Sequence, residues 1–164
     1  MASSRSRAIT ERGSASCSPR PGIRFGSSMV DAPRLDLEWL PGEYAICRLP
    51  AETPTPVWAD TAGAFTSLTR TADECSIIAP AEHVPADTRA ERGWAAVRVV
   101  GPLSFDMVGV LARVSGALAA AGVPLCAVST YDTDVFLFKA DYASRVVSAL
   151  AAVASLPPRS SSAI

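Results

Sequence analysis

The stretch AVSTYDTDVFLFKA, residues 127–140, sets Ser129, Thr130, Tyr131, Asp132, Thr133 and Asp134 between two apolar runs. A link between strands can reverse on Asn-Gly or Asp-Gly alone, and this link contains neither pair. Carboxylates beside hydroxyls can accept hydrogen bonds from an ammonium group. A second stretch, GPLSFDMVGVLARVSGALAAAGVPL at 101–125, ends a strand and opens a helix near Asp106, with Gly109 in its first turn. The free N–H groups and positive dipole end of a helix start favour a carboxylate, and Gly109 keeps a side chain out of the way. In isolation Asp106 reads equally as the cap of its own helix, and Gly109 as a packing glycine. An amino-acid zwitterion needs donors for its carboxylate and acceptors for its ammonium. Asp134, Glu74 and the hydroxyls of Ser76 and Thr130 can supply the acceptors. Asp132 alone reads more simply as a solvated turn residue.

Signatures of catalysis are sparse. The one histidine, His83, lies in a polar stretch without a nearby Cys or His and reads as a surface residue. There is no Gly-x-x-x-x-Gly-Lys loop, no Gly-x-Gly-x-x-Gly fingerprint and no Gly-x-Ser-x-Gly elbow. Asp73, Glu74, Asp132 and Asp134 lack an evident partner nucleophile. No catalytic residue, metal site or cofactor is assigned.

Composition narrows the classes further. Fifteen Lys and Arg against sixteen Asp and Glu give a formal net charge of −1, which argues against nucleic acid or anionic membrane as a partner. Stacking of single-stranded nucleic acid on Phe136 and Phe138 lacks a basic strip beside those rings. Cys17, Cys47, Cys75 and Cys126 form no Cys-x-x-Cys pair and read as small hydrophobes in a reducing compartment. Apolar stretches break well short of the roughly 18 residues a spanning helix needs, so a soluble, cytoplasmic protein is expected.

The elements that must position these groups begin after residue 33. Residues 1–33 are rich in Ser, Gly, Pro and Arg and read as a disordered segment. A transit peptide is one alternative, and translation from Met29 is the simpler one. Residues 34–90 and 91–156 read as two lobes, followed by a disordered tail at 157–164. In the first, EYAICRL, FTSLTRT and CSIIAP are strand candidates, TPVWADTAGA a short helix, and AEHVPADTRAERG a loop. In the second, WAAVRVVG is a strand, and Met107, Val110, Leu111, Val114, Leu118 and Ala121 recur at helical spacing before Gly122 and Pro124. VPLCAVST and VFLFKA follow as strands, then a helix capped by Asp141 that carries Tyr142, Val146, Leu150 and Val153. The fold class is therefore α+β: ferredoxin-like lobes with antiparallel sheets and helices on one face. Val135, Phe136, Leu137 and Phe138 make both faces of one strand apolar, so each face needs a cover, from the other lobe or from a second copy.

DMVGVLARVSGALAAAGVPL resembles the strand-loop-helix signature of ACT domains, small modules that bind amino acids and regulate metabolism. RTADECSIIAP, GPLSFDMVGVLARVSGALAAAGVPL and STYDTDVFLF occur in the order seen in the CASTOR/POLLUX-like ACT family, across about 35–153. The resemblance implies tandem ACT lobes of βαββαβ type with an effector amino acid at their interface. By motif position it implies ligand contacts from Ser76 and Ile77, from Gly109 and Val110, and from Thr130, Tyr131 and Asp134. The usual ACT proline before the helix-start glycine is Val108 here. The expected protein is a non-catalytic amino-acid sensor or regulatory module, homodimeric, with a small-molecule amino acid as its partner. The alternative is a small ferredoxin-like enzyme or the regulatory subunit of an amino-acid metabolic enzyme.

Overall fold

The computed structural model describes residues 34–60 and 63–159. The expectations for residues 1–33 and for 160–164 fall outside the described residues. Eight strands form one sheet: β1 Leu35–Trp39, β2 Tyr44–Leu49, β3 Ser67–Arg70, β4 Cys75–Pro80, β5 Ala90–Val99, β6 Cys126–Ser129, β7 Asp134–Lys139 and β8 Ala154–Ser155. Two helices accompany them, α1 Val110–Ala120 and α2 Ala143–Leu150. The architecture is α+β, and every pairing is antiparallel except that of β1 with β8.

The long strand β5 organises the sheet. Its first half pairs with β2, which continues to β4 and β3; its second half pairs with β1 on the same edge and with β7 on the other. Between the pairs Tyr44–Trp94 and Ile46–Glu91, β5 carries one residue more than β2. This bulge contains Gly93 at φ 75, a left-handed conformation open to glycine at little cost. Such bulges bend a strand and increase its twist, here at the residue where β5 passes from one set of partners to the other.

Alternation along β5 and β7 then fills two interiors. Ala95, Val97, Val99, Phe136 and Phe138 face α1 and α2, meeting Val110, Val114, Leu118, Val146 and Leu150. Ala96, Val135 and Leu137 point the other way and meet Tyr44, Phe65 and Ile78. The second apolar face is thus sealed by residues from the first half of the same chain. A third cluster, around Cys47, Cys75, Ile77 and Ala79, lies under Ala59 and Val84 from the connecting loops.

Several sequence expectations shift in detail. Val57–Ala59 is a single 3-10 turn where a short helix was expected, and no side chain caps it. β5 begins at Ala90, inside the stretch read as loop, because Ala90 and Glu91 complete the ladder to β2. β1 and β8 were not anticipated, yet Leu35 and Ala154 are core. Asp141 lies within a 3-10 turn, Ala140–Tyr142, that precedes α2, and α2 has no side-chain cap. At the far end, the Trp39 indole N–H donates to the Pro157 carbonyl at 2.7 Å, and Arg159 donates to the Gly42 carbonyl at 2.8 Å.

Burial governs the cysteines and one tyrosine. Cys47, Cys75 and Cys126 are free thiols, and burial pushes the Cys47 and Cys126 thiols up, away from the reactive thiolate. Tyr44 is fully buried, its hydroxyl finds no hydrogen-bond partner among the described residues, and burial pushes its pKa up to about 12.

Two measurements check this packing. Leu137→Ala should lower unfolding free energy in urea by about 2–5 kcal/mol, because Leu137 is sealed between the two halves of the sheet. Tyr44→Phe should leave stability near pH 8 unchanged or raised, since the lost hydroxyl makes no bond. The folded protein holds the Tyr44 proton to higher pH than the unfolded chain, so the linked stability is present below pH ~10 and lost as pH rises towards 12. Urea midpoints across that window should fall less in Tyr44→Phe than in the parent protein.

Candidate functional site

The 100–109 loop, the first turn of α1 and the link between β6 and β7 meet at one end of the helix-covered half. Gly101 is needed there because a Cβ would lie 2.8 Å from the Asp132 carbonyl oxygen. The Leu103 N–H donates to that same carbonyl at 2.7 Å, and the Thr133 hydroxyl donates to the Val99 carbonyl at 2.5 Å. Within the link, the Thr130 N–H and hydroxyl both donate to the Thr133 carbonyl, at 2.8 and 2.9 Å. The Thr133 N–H returns a bond to the Thr130 hydroxyl at 3.2 Å. Most of the polarity concentrated in this link therefore closes the turn and ties it to β5.

Asp134 is the exception. Its Oδ1 accepts a hydrogen bond from the Ser129 hydroxyl at 2.5 Å, and its side chain is only partly buried. Ser129 and Asp134 are direct partners across the β6–β7 ladder, which fixes their approach.

α1 begins later than its apolar stripe suggested. Gly109 is the N-cap at φ 88, its carbonyl takes the first helical bond from the Arg113 N–H at 3.0 Å, and no side chain caps the helix. Asp106 is therefore not the cap: its N–H donates to the Ser104 hydroxyl at 3.3 Å, in a turn before the helix. The N–H groups of the first helical turn are left for another acceptor, at the positive end of the dipole.

The first turn of α1 and Asp134 share a shallow recess of about 470 Å³, lined by Met107, residues 109–112, Ser115 and Asp134. A second recess of about 180 Å³ adjoins it through Met107, Val110 and Asp134, and adds Leu103, Phe105, Thr130 and Tyr131. Gly109, Val110, Thr130, Tyr131 and Asp134 are thus brought together. Ser76 and Ile77 are not among the residues lining either recess: both sit on β4, where Ile77 is fully buried and Ser76 lies opposite Arg48 and Thr69. Glu74 is held by Arg48 in an ion pair of 2.8 Å. Sequence reasoning missed Ser129, Met107 and Phe105. The hairpin register implied Ser129, as the strand partner of Asp134, while Met107 and Phe105 became visible only once the helix start had moved to Gly109.

The larger recess elsewhere, about 580 Å³ beside Pro41, Tyr44, Pro80 and His83, contains none of these residues. The His83 imidazole lies 3.7 Å from the Glu82 carboxylate. Among the described residues no three His, Cys, Asp or Glu side chains could hold a metal ion.

With this geometry in place, the comparisons are specific. Residues 89–152 match the ACT domain family, and residues 42–87 match a family described as an N-terminal domain. Protein Atu0741 from Agobacterium tumefaciens is 37% identical, with 79% of this chain and 96% of that one covered and a TM-score of 0.73. The chain belongs to the Atu0741 family and carries an ACT domain. No curated protein matches it. The Vibrio cholerae protein VC0802, described as a possible transport protein of unknown function, aligns over 74% of this chain and 91% of its own at 16% identity and a TM-score of 0.61. Clostridium acetobutylicum aspartate kinase aligns over 72% of this chain and 34% of its own at 10% identity and a TM-score of 0.55. These two likenesses concern the fold alone. The ACT domain comprises β5, α1, β6, β7 and α2, so the recess beside Gly109 lies wholly within it.

Gly109→Ala tests the start of α1. A Cβ at φ 88 should cost about 1–2 kcal/mol in urea unfolding, since only glycine adopts the left-handed region freely. An unchanged midpoint would mean that the helix starts elsewhere.

Proposed function

We propose that this protein is a non-catalytic regulatory module that binds a free amino acid in the recess between Gly109 and Asp134. The observation that carries this reading is the joint lining of one recess by an uncapped helix start and a carboxylate. Helix N–H groups suit the α-carboxylate, and the Asp134 carboxylate suits the α-ammonium. Thr130 and Tyr131 belong to the same site in this reading, and Ser76 and Ile77 stay outside the recess. The ordered motifs support a sensor of the CASTOR/POLLUX-like kind, and the Clostridium relative in fold is named an allosteric enzyme.

Binding acts by preferring one of two arrangements, and only to the extent that its affinity for them differs. The recess is open on one side, and Phe105, Val108 and Tyr131 beside it are 78%, 95% and 80% exposed. A homodimer in which a second copy approaches this apolar rim is the assembly we favour, in the cytoplasm. No helix of the described residues is long and apolar enough to cross a membrane.

Thermal unfolding in the presence of each of the twenty amino acids, with oligonucleotides as a separate series, tests the reading. A ligand at about 100 times its Kd should stabilise the protein by roughly 2.7 kcal/mol. Asp134→Ala should abolish that response while retaining the parent circular dichroism spectrum. A response of full size in Asp134→Ala removes this carboxylate from the site, and stabilisation by oligonucleotides alone removes the amino-acid reading.

A further inference from the structure

Resting on that reading, we infer that the bound amino acid carries an uncharged, predominantly apolar side chain. The argument is a charge inventory of the two adjoining recesses. Their linings hold one charged side chain, Asp134. The basic groups nearest in sequence are engaged elsewhere: Arg98 pairs with Glu38, Arg113 donates to the Val153 carbonyl at 3.0 Å, and Lys139 pairs with Glu91 at 3.2 Å. Asp106 and Asp132 line neither recess.

Once the α-ammonium occupies Asp134, a lysine or arginine side chain finds no second carboxylate. An aspartate or glutamate side chain finds no cation and meets the field of Asp134. A charge placed against a partly desolvated wall without a partner is unfavourable. The rest of the lining carries no charge. Leu103, Phe105, Met107, Leu111 and Tyr131 are apolar or aromatic, and the Phe105 and Tyr131 rings meet edge to face at 5.2 Å between centroids. The hydroxyls of Ser104, Ser115, Ser129, Thr130 and Thr133 also line the recesses, and each already has a hydrogen-bond partner within the chain. Leu111 is 47% exposed and Met107 48% exposed, so this is apolar surface that a ligand side chain can cover. Covering it favours leucine-, methionine- or phenylalanine-like ligands over charged ones. It discriminates weakly among the apolar ones, because a single methylene changes binding little.

Calorimetric titration of the full chain with leucine, methionine, phenylalanine, aspartate, lysine and arginine tests this inference. At least one of the first three should bind about tenfold or more tighter than any of the last three. Leu111→Arg, at a solvent-facing position on α1, should weaken the apolar ligands and raise affinity for aspartate. Tightest binding by a charged amino acid, lost in Asp134→Ala, would overturn the side-chain class and leave the site standing. Binding by no amino acid would overturn both. An unaltered preference in Leu111→Arg would also overturn the inference, by detaching the ligand side chain from this wall.

Discussion

The structure depends on a strand, β5, whose middle residues Ala95, Ala96 and Val97 are buried on both faces, and which takes partners on both edges. β5 sends Ala95, Val97 and Val99 into the helix-covered interior and Ala96 into the opposite one. It lends its first half to β2 and its second half to β1 and β7. A strand so committed cannot slip by one residue without exchanging its two interiors. Burying a Val, Leu or Phe side chain is worth about 1.5–3 kcal/mol, so such a slip would forfeit many times the stability of a typical domain contact. The bulge at Gly93 makes this possible by bending β5 between its two sets of partners.

The site inherits its order from that strand. Thr133 donates to the carbonyl of Val99, at the end of β5, while the loop leaving β5 returns at Leu103 to the carbonyl of Asp132. The β6–β7 link is thereby tied to the same strand end from which the chain departs for α1. Asp134 and the N-terminus of α1 are thus two ends of a short hydrogen-bonded circuit through β5. The turn is rich in hydroxyls because the bonds in this circuit need donors and acceptors, and Asp134 adds a carboxylate to the lining of both recesses.

What was legible in the sequence follows the same physics. The stripe Val110, Val114 and Leu118 repeats at helical spacing and identified α1, and the doubly apolar run Val135–Phe138 foretold two covered faces. Its start was misplaced because Met107 continues the apolar spacing although Gly109 at φ 88 interrupts the backbone, a feature no periodicity reports. β1 and β8 were missed because their partners are remote in sequence: β1 pairs with β5, and Leu35 sits beside Ala154 of β8. Gly109, Val110, Thr130, Tyr131 and Asp134 were grouped in the sequence by motif position in the ACT resemblance, and all five line the two adjoining recesses. The position of Ser76 and Ile77 was not readable in this way, since it depends on how β4 is carried by β2 around the bend in β5.

The pairing of β1 with β8 has a consequence for how the molecule comes into being. Arg34, just before β1, reaches the carbonyls of Ala151 and Ala154, and the Leu35 N–H donates to the Val153 carbonyl. On a ribosome β1 must therefore wait, with that edge bare, until Ala154 and Ser155 have left the exit tunnel. Topology of this kind slows the final zipping step and exposes the nascent chain to association with its neighbours.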